Sequence, residues 1–246
     1  MFITIKPKII ISFILIIALS FAITFCLYNI TTTNAEPKFN YTIVVDAGHG
    51  GRDAGTSGIN TGVKESDLSL AISKKLQNYL TDFGFNVVMT RETQDGLYSE
   101  NAKNFKKDDM AKREKIINKH NADMIISIHL NSFPTISEHG SQAFFEETNE
   151  YSVQLSNAIQ NQLISNLPDA RKSANKGDYY ILKTKDVPCS LIECGFLSNP
   201  EEEALLTTQE YQQKVAYAIF CGIIEYYNEN SNLLPNNEFK INSQIN

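Results

Sequence analysis

The stretch IVVDAGHGGRDAG, residues 43–55, decides the fold of this chain. It predicts a buried strand over residues 43–46 that enters a glycine-rich turn carrying one histidine, His49. Glycine allows positive φ angles and a close approach of the backbone to a ligand. The spacing matches neither the G-x-G-x-x-G dinucleotide motif nor the P-loop ending G-K-[ST]. His49 is therefore a candidate functional residue, and the alternative is a glycine-rich turn with an incidental histidine.

The composition bounds the class of protein. The chain has 246 residues, of which 42% are hydrophobic, and a net charge of −6. This length and apolar content suffice for one packed domain. An acidic chain without a dense block of lysine and arginine is not expected to bind nucleic acid. The sequence contains no C-x-x-C pair, and we expect all four cysteines to be reduced and structural: Cys26, Cys189, Cys194 and Cys221.

The N-terminal segment is basic and then apolar. Lys6 and Lys8 precede an apolar run over residues 9–28, which is long enough to span a bilayer and longer than the core of most signal peptides. A retained membrane anchor is therefore favoured over a cleaved signal, and the residues after it should lie outside the cytoplasm. The predicted organisation is an anchor or signal over 1–35, a linker over 36–40, a compact domain over 41–228 and a polar mobile tail over 229–246.

Strands and helices alternate through the domain, which predicts an α/β fold with a mostly parallel central sheet flanked by helices. The remaining strands are predicted at residues 85–90, 123–128, 141–147, 179–182 and 189–192. Helices are predicted at 66–83 with Ser66 as N-cap and Gly84 as stop, at 108–122, at 151–167, in a short segment from Pro200, and at 211–227. Residues 92–107 and 168–178 are predicted to be loops.

Three polar side chains follow the ends of different predicted strands: His49, His129 and Glu193. Ligands of parallel sheets bind at the carboxyl ends of the strands, so one crevice would hold all three, with Glu65 beside them at the start of the first helix. Each carboxylate also has a structural interpretation. Glu65 would be a helix-dipole partner, and Glu193 a buried acid paired with an arginine. His120 and His139 are expected at a helix end and on the surface.

Two imidazoles and one carboxylate, with a fourth position left to water, form a catalytic zinc set. The second carboxylate would then take a proton from that water and pass it to a leaving nitrogen, which is the chemistry of amide hydrolysis. The residues alone leave open whether Glu65 or Glu193 is the ligand, and cobalt or manganese would suit the same donors. Asp46 either orients a ligand histidine or caps the loop.

Four sequence blocks resemble the zinc-dependent N-acetylmuramoyl-L-alanine amidases of the amidase-3 type. The blocks are VVDAGHGGRDAG, the helix start at Glu65, SIHLNS and LIECGFLSNP, in order within residues 41–228. The resemblance implies His49, Glu65 and His129 as ligands of one Zn²⁺ and Glu193 as catalytic base. It also implies a mixed sheet, and a substrate bond between the lactyl group of N-acetylmuramic acid and L-alanine in peptidoglycan.

The N-terminal membrane segment, the KKDDMAKR stretch and the lack of a wall-binding repeat are similar to sporulation amidases of the CwlD type. Members of that subgroup strip peptides from the spore cortex so that muramic lactam can form, a step needed for germination. This similarity implies an exported enzyme at the outer membrane face or secreted, in the developing spore envelope. An accessory exported protein is a further implied partner.

Two rival functions remain compatible with the residues. A zinc peptidase that cuts within the stem peptides would use the same metal and base. A non-catalytic, membrane-tethered peptidoglycan-binding protein belongs to another class, but it would need neither an open metal position nor a free carboxylate. Only product analysis separates the amidase from the peptidase.

Overall fold

A mixed sheet of six strands forms the centre of the part of the chain that the computed structural model describes, which is residues 17, 19, 20 and 38–230. The strands are β1 (Thr42–Ala47), β2 (Asn86–Met89), β3 (Met124–Asn131), β4 (Gln142–Phe145), β5 (Asn175–Lys176) and β6 (Cys189–Phe196). The helices are α1 (Glu65–Phe83), α2 (Phe105–Lys119), α3 (Glu150–Asn166), α4 (Pro200–Leu206) and α5 (Gln209–Asn230), with a 3₁₀ helix, η1, at Tyr180–Lys183.

The strand order is β2-β1-β3-β6-β4-β5. Strands β2, β1, β3 and β6 are parallel, β4 is antiparallel to β6, and β5 pairs parallel with β4. Parallel neighbours need crossover connections, and α1 and α2 supply them between β1, β2 and β3. The predicted α/β class is therefore confirmed, and the sheet is mixed.

The two faces of the sheet differ in composition. One face packs against α1, α3 and α5 in the larger apolar core, to which β1 contributes Val45 and β3 contributes Ile126 and Ile128. The other face is covered by α2 and η1 over a smaller core that includes Val44, Ile125 and Leu191. Because side chains alternate along a strand, Asp46, Ser127, His129 and Glu193 all belong to this second face. The polar residues of the candidate site thus lie on the same face of the sheet as the smaller apolar core.

Several predicted elements differ in the structure. The prediction of a strand at residues 179–182 is wrong, because this segment forms η1, in which Ile181 and Leu182 are both buried. Two consecutive inward side chains suit a helical turn and not an alternating strand. β5 lies within the loop predicted at 168–178.

Two helices begin at residues other than those predicted. Lys64, and not Ser66, occupies the N-cap of α1, and it makes no side-chain cap bond; the predicted stop at Gly84 is confirmed. α2 begins earlier than predicted, because Asn104 caps it by accepting a hydrogen bond from Lys107 N at 3.1 Å.

The predicted N-terminal anchor and most of the C-terminal tail lie outside the described residues. Within residues 17, 19, 20 and 38–230, no helix combines the length and the apolar content that a membrane crossing requires. Cys189, Cys194 and Cys221 are free thiols, as predicted, and Cys26 is among the residues not described.

Candidate metal centre

His49, Glu65 and His129 come together at one point, although they lie on the β1–α1 loop, on α1 and on β3. One ligand atom of each lies within 4.8 Å of the other two. Glu65 Oε1 is 3.1 Å from His49 Nε2 and 2.9 Å from His129 Nδ1. The two imidazole rings meet edge to face with centroids 4.9 Å apart. Two ring nitrogens therefore point at one carboxylate oxygen, a cluster that suits a metal ion.

The glycine turn makes this approach possible. A Cβ at Gly48 would lie 2.5–2.7 Å from three atoms of the His129 ring, and a Cβ at Gly55 would lie 2.3 Å from Glu65 Oε2. The backbone of His49 itself has a positive φ of 60°. These glycines serve the close approach of three side chains, so no larger residue fits at either position.

Glu65 is held as a carboxylate from several sides. Besides the two histidines, Oε2 accepts a hydrogen bond from Thr56 N at 2.8 Å and Oε1 accepts one from Leu130 N at 3.1 Å. Burial alone would raise the pKa of Glu65, but the hydrogen bonds and charges of His129 and His49 hold that pKa well below its usual range. Glu65 is therefore more than a partner of the helix dipole.

His49 has a second acidic neighbour that the sequence reasoning missed. Its Nδ1 lies 2.9 Å from Asp53 Oδ2, and Lys106 Nζ lies 3.1 Å from the other oxygen of Asp53. Burial would lower the pKa of His49, but the hydrogen bonds and charges of Glu65 and Asp53 raise it. The available signal was an acidic residue in the same turn, four positions after the histidine.

Both interpretations offered for Asp46 are wrong. Its carboxylate accepts hydrogen bonds from Thr90 Oγ1 at 2.7 Å, Ser127 Oγ at 2.6 Å and Arg113 Nη1 at 2.6 Å, and not from a histidine. Burial would raise the pKa of Asp46, but the Arg113 charge and the two hydroxyl groups lower it to about 2. Asp46 therefore neutralises a buried arginine below the site.

Two buried arginines hold the backbone of the glycine turn. Arg113 donates to Ala47 O at 2.7 Å and to His49 O at 2.5 Å. Arg91 donates to Ala47 O at 3.0 Å and to Gly48 O at 2.8 Å. The sequence reasoning missed both, because an arginine on a polar helix and one at a strand end are usually solvated.

Glu193 differs from Glu65 in having no hydrogen-bond or ion-pair partner among the residues that the structure describes. It is 8% exposed, and its buried Oε2 forms no hydrogen bond with the described residues, so the predicted alternative of a pairing with arginine is wrong. Burial, with a smaller contribution from Glu65, raises the pKa of Glu193 to about 7 against the opposing charges of His129 and His49. A carboxyl group with a pKa near neutrality can both accept and return a proton.

The structure places His129 and Glu193 inside their strands and not after the strand ends, which corrects the predicted positions. They are register partners on the neighbouring strands β3 and β6, and the register shifts only after His129. Both strands continue because the pairing of β3 with β6 extends to Asn131 and Phe196. Adjacent strands in register present the two side chains on the same face.

A cleft of about 230 Å³ opens beside the cluster, between α2, η1 and the ends of the central strands. Its lining includes His49, His129, Asp53, Lys106 and Tyr179. His120 is the C-cap residue of α2, and His139 is an exposed residue bonded to Ser137 O, so neither belongs to the cluster, as predicted.

Comparisons with known proteins agree with this geometry. A family model described as N-acetylmuramoyl-L-alanine amidase matches residues 43–225. A germination-specific N-acetylmuramoyl-L-alanine amidase of Bacillus subtilis is 37% identical over 76% of this chain and 80% of its own length. The structure of the CwlD amidase from Clostridioides difficile, in complex with the GerS lipoprotein, is 39% identical over 76% of this chain and 98% of that one, with a TM-score of 0.73. The amidase AmiC2 of Nostoc punctiforme is 27% identical over 76% and 96%, with a TM-score of 0.67.

Proposed function

This chain belongs to the amidase-3 family of N-acetylmuramoyl-L-alanine amidases, and from that premise we propose that it hydrolyses the bond between the muramic acid lactyl group and L-alanine in peptidoglycan with one zinc ion and one carboxylate base. His49, Glu65 and His129 would hold the zinc ion, and Glu193 would be the base. The observation that carries the proposal is a cluster of three ligand atoms within 4.8 Å, beside a buried carboxylate on β6, Glu193, that has no hydrogen-bond partner in the described part of the chain.

The residues fit a zinc ion. Two imidazole nitrogens and one carboxylate oxygen are the donors of many catalytic zinc sites, which keep a further position for water or substrate. The 2.9 Å hydrogen bond from His49 Nδ1 to Asp53 leaves Nε2 available as a donor to the metal. The rings of both histidines border the cleft, which gives substrate access to the cluster.

The metal and the side chains of this protein would contribute different steps of the hydrolysis. Zinc held by these residues would supply a Lewis acid that polarises a carbonyl oxygen and lowers the pKa of a coordinated water to about 7. Glu193 would accept the proton of the attacking water and deliver it to the leaving nitrogen of L-alanine. Its pKa of about 7 suits both transfers, because the group is neither too acidic to accept the proton nor too basic to release it.

The direct test uses the purified full-length chain, loaded with zinc, on purified peptidoglycan. New N-terminal alanine should appear, and a chelator should abolish it. New amino termini on other stem residues would contradict the amidase and identify a peptidase. A lack of any new terminus, with binding to the polymer retained, would contradict catalysis altogether.

We further propose that the substrate is the peptidoglycan of the spore cortex. The support is the 37% identity to a relative named as germination-specific and the 39% identity to the CwlD amidase. Spores of a deletion strain should then lack muramic lactam in their cortex and fail to complete germination. A normal cortex in those spores would assign the enzyme to the vegetative wall.

The location and the partner follow from the same proposal. The apolar run at residues 9–28 would carry the enzyme across the membrane, either as a retained anchor or as a cleaved signal. Because the C. difficile relative was solved with a lipoprotein, we propose that an exported accessory protein binds this chain as well. A pull-down from sporulating cells that recovers no exported protein would contradict this partner.

A further inference from the structure

Tyr179 borders the same cleft as His49 and His129, and it has no part in the function proposed above. It is half-buried and occupies the N-cap position of η1, two residues before the buried pair Ile181 and Leu182. The segment covers the sheet face that carries Leu191 and Glu193. Tyr179 thus approaches the candidate base from the layer above the sheet.

The ring of Tyr179 is fixed by its neighbours. It meets the Phe144 ring edge to face, with centroids 5.6 Å apart. Gly177 allows the ring to lie against the backbone, since a Cβ there would be 2.5 Å from a ring carbon. Hydrogen bonds from Gly177 N to Phe145 O at 2.9 Å and from Leu182 N to Tyr179 O at 3.2 Å hold the backbone on both sides. A hydroxyl group on such a ring has little freedom of position.

This hydroxyl group is free to bind a ligand. It forms no hydrogen bond with any residue of the range 38–230, whereas the hydroxyl of Tyr180 donates to Glu114 at 2.5 Å. Burial raises the pKa of Tyr179 to about 12, and the nearby charges of Glu193 and Glu65 add to the effect. The group therefore remains protonated at physiological pH and acts as a donor.

We propose that the Tyr179 hydroxyl is a catalytic residue that donates a hydrogen bond to the carbonyl oxygen of the scissile amide. The proposal rests on the amidase function and deepens it. The histidines and Tyr179 line the same cleft, so an amide bound there would lie between them, and the amide offers two polar atoms. Its nitrogen receives the proton from Glu193, so its oxygen is the acceptor left for a phenol. Negative charge develops on that oxygen as water attacks, and a fixed donor stabilises the transition state more than the substrate. No proton leaves Tyr179.

The test is Tyr179→Phe, which removes the hydroxyl group and keeps the ring against Phe144. We expect kcat to fall by about 10²–10³-fold, the typical effect of removing one oxyanion donor. KM and the zinc content should stay as in the wild type. Tyr151→Phe is the matched control, because Tyr151 lies on α3, is 49% exposed and does not line the cleft. This control should keep full activity.

A second readout does not depend on turnover. The probe is a phosphinate analogue of the muramoyl–alanine amide, which carries a charged oxygen in place of the carbonyl. It should bind Tyr179→Phe at least tenfold more weakly than it binds the wild type. The reaction product should bind both proteins equally. Unchanged kcat and analogue affinity in Tyr179→Phe would overturn the assignment, as would a loss confined to KM. Inactivity of the wild type and both variants would overturn the amidase function, and this inference with it.

Discussion

Two carboxylates in one site have opposite environments. Glu65 accepts hydrogen bonds from two histidines and two backbone amides, and the histidines hold its pKa well below its usual range against the effect of burial. Glu193 has no hydrogen-bond partner among the described residues, and burial raises its pKa to about 7. When the pKa values of two neighbouring acids are separated in this way, the group with the low pKa suits a permanent anion and the other group suits proton transfer. The contrast supports Glu65 as the ligand and Glu193 as the base, an assignment that the residue types alone left open.

The first prediction separates the two roles. Glu193→Gln keeps the shape of the side chain but cannot accept a proton, so kcat should fall by about 10²–10⁴-fold while the zinc content stays at one per chain. His129→Ala removes a ligand and should lose both zinc and activity. Metal analysis and alanine release on the same preparations check this pair. Full activity in Glu193→Gln would show that another group is the base.

At the scale of elements, the short helix α4 organises the loops around the site. Its first turn is acidic, which predicts favourable interaction with the helix dipole. In the structure, two glutamates of this turn also accept hydrogen bonds from other segments of the chain. Glu202 accepts hydrogen bonds from Gly140 N at 3.0 Å and Phe196 N at 2.7 Å. Glu203 accepts from Asn60 N and Thr61 N, both at 2.8 Å, in the loop that leads to Glu65. The helix thus anchors two loops that flank the candidate metal centre.

The second prediction concerns Glu203, which is 1% exposed. Glu203→Ala leaves two backbone amides of the loop without their acceptor, so the free energy of unfolding should fall by about 2–3 kcal/mol. Glu201→Ala removes an exposed carboxylate from the same turn and should change that free energy by less than about 0.5 kcal/mol. Denaturant unfolding of both variants measures the difference. Equal stabilities would show that the loop does not depend on Glu203.

At the scale of the whole molecule, the candidate site lies apart from the larger apolar core. The larger apolar core lies on the face packed by α1, α3 and α5, while the polar residues lie on the opposite face and at its edge. The cluster draws its members from the β1–α1 loop, α1 and β3, and the candidate base comes from β6. A metal ion bound there would link these elements without being needed to form the core.

The third prediction follows from this arrangement. The metal-free chain should fold, and zinc should stabilise it, by about 2.7 kcal/mol when free zinc exceeds its Kd a hundredfold. Thermal unfolding with a chelator and with added zinc measures the shift, and His129→Ala should show none. A chain that unfolds fully in chelator would contradict the independence of the core. A wild type that does not respond to zinc would contradict the proposed ligands.

The sequence by itself determined the order of most elements and the identity of the clustered residues. Hydrophobic periodicity, glycine at strand ends and proline at a helix start are local signals, and they located β1, β3, β6 and most helices to within a few residues. The rule that parallel strands present their ligands at one edge then placed His49, His129 and Glu193 together. Local signals failed at η1, where burial of Ile181 and Leu182 against the sheet outweighed β-propensity.

Only the tertiary structure decided the partners and the environments. The contact of Asp46 with Arg113 and the absence of a hydrogen-bond partner for Glu193 among residues 38–230 depend on distant segments in ways that no spacing predicts. A pKa depends on burial and on charges brought within a few ångströms, and both arise from contacts between distant segments. The chain therefore specifies which groups are present, and the packing of α2 and η1 on the sheet sets what each group can do.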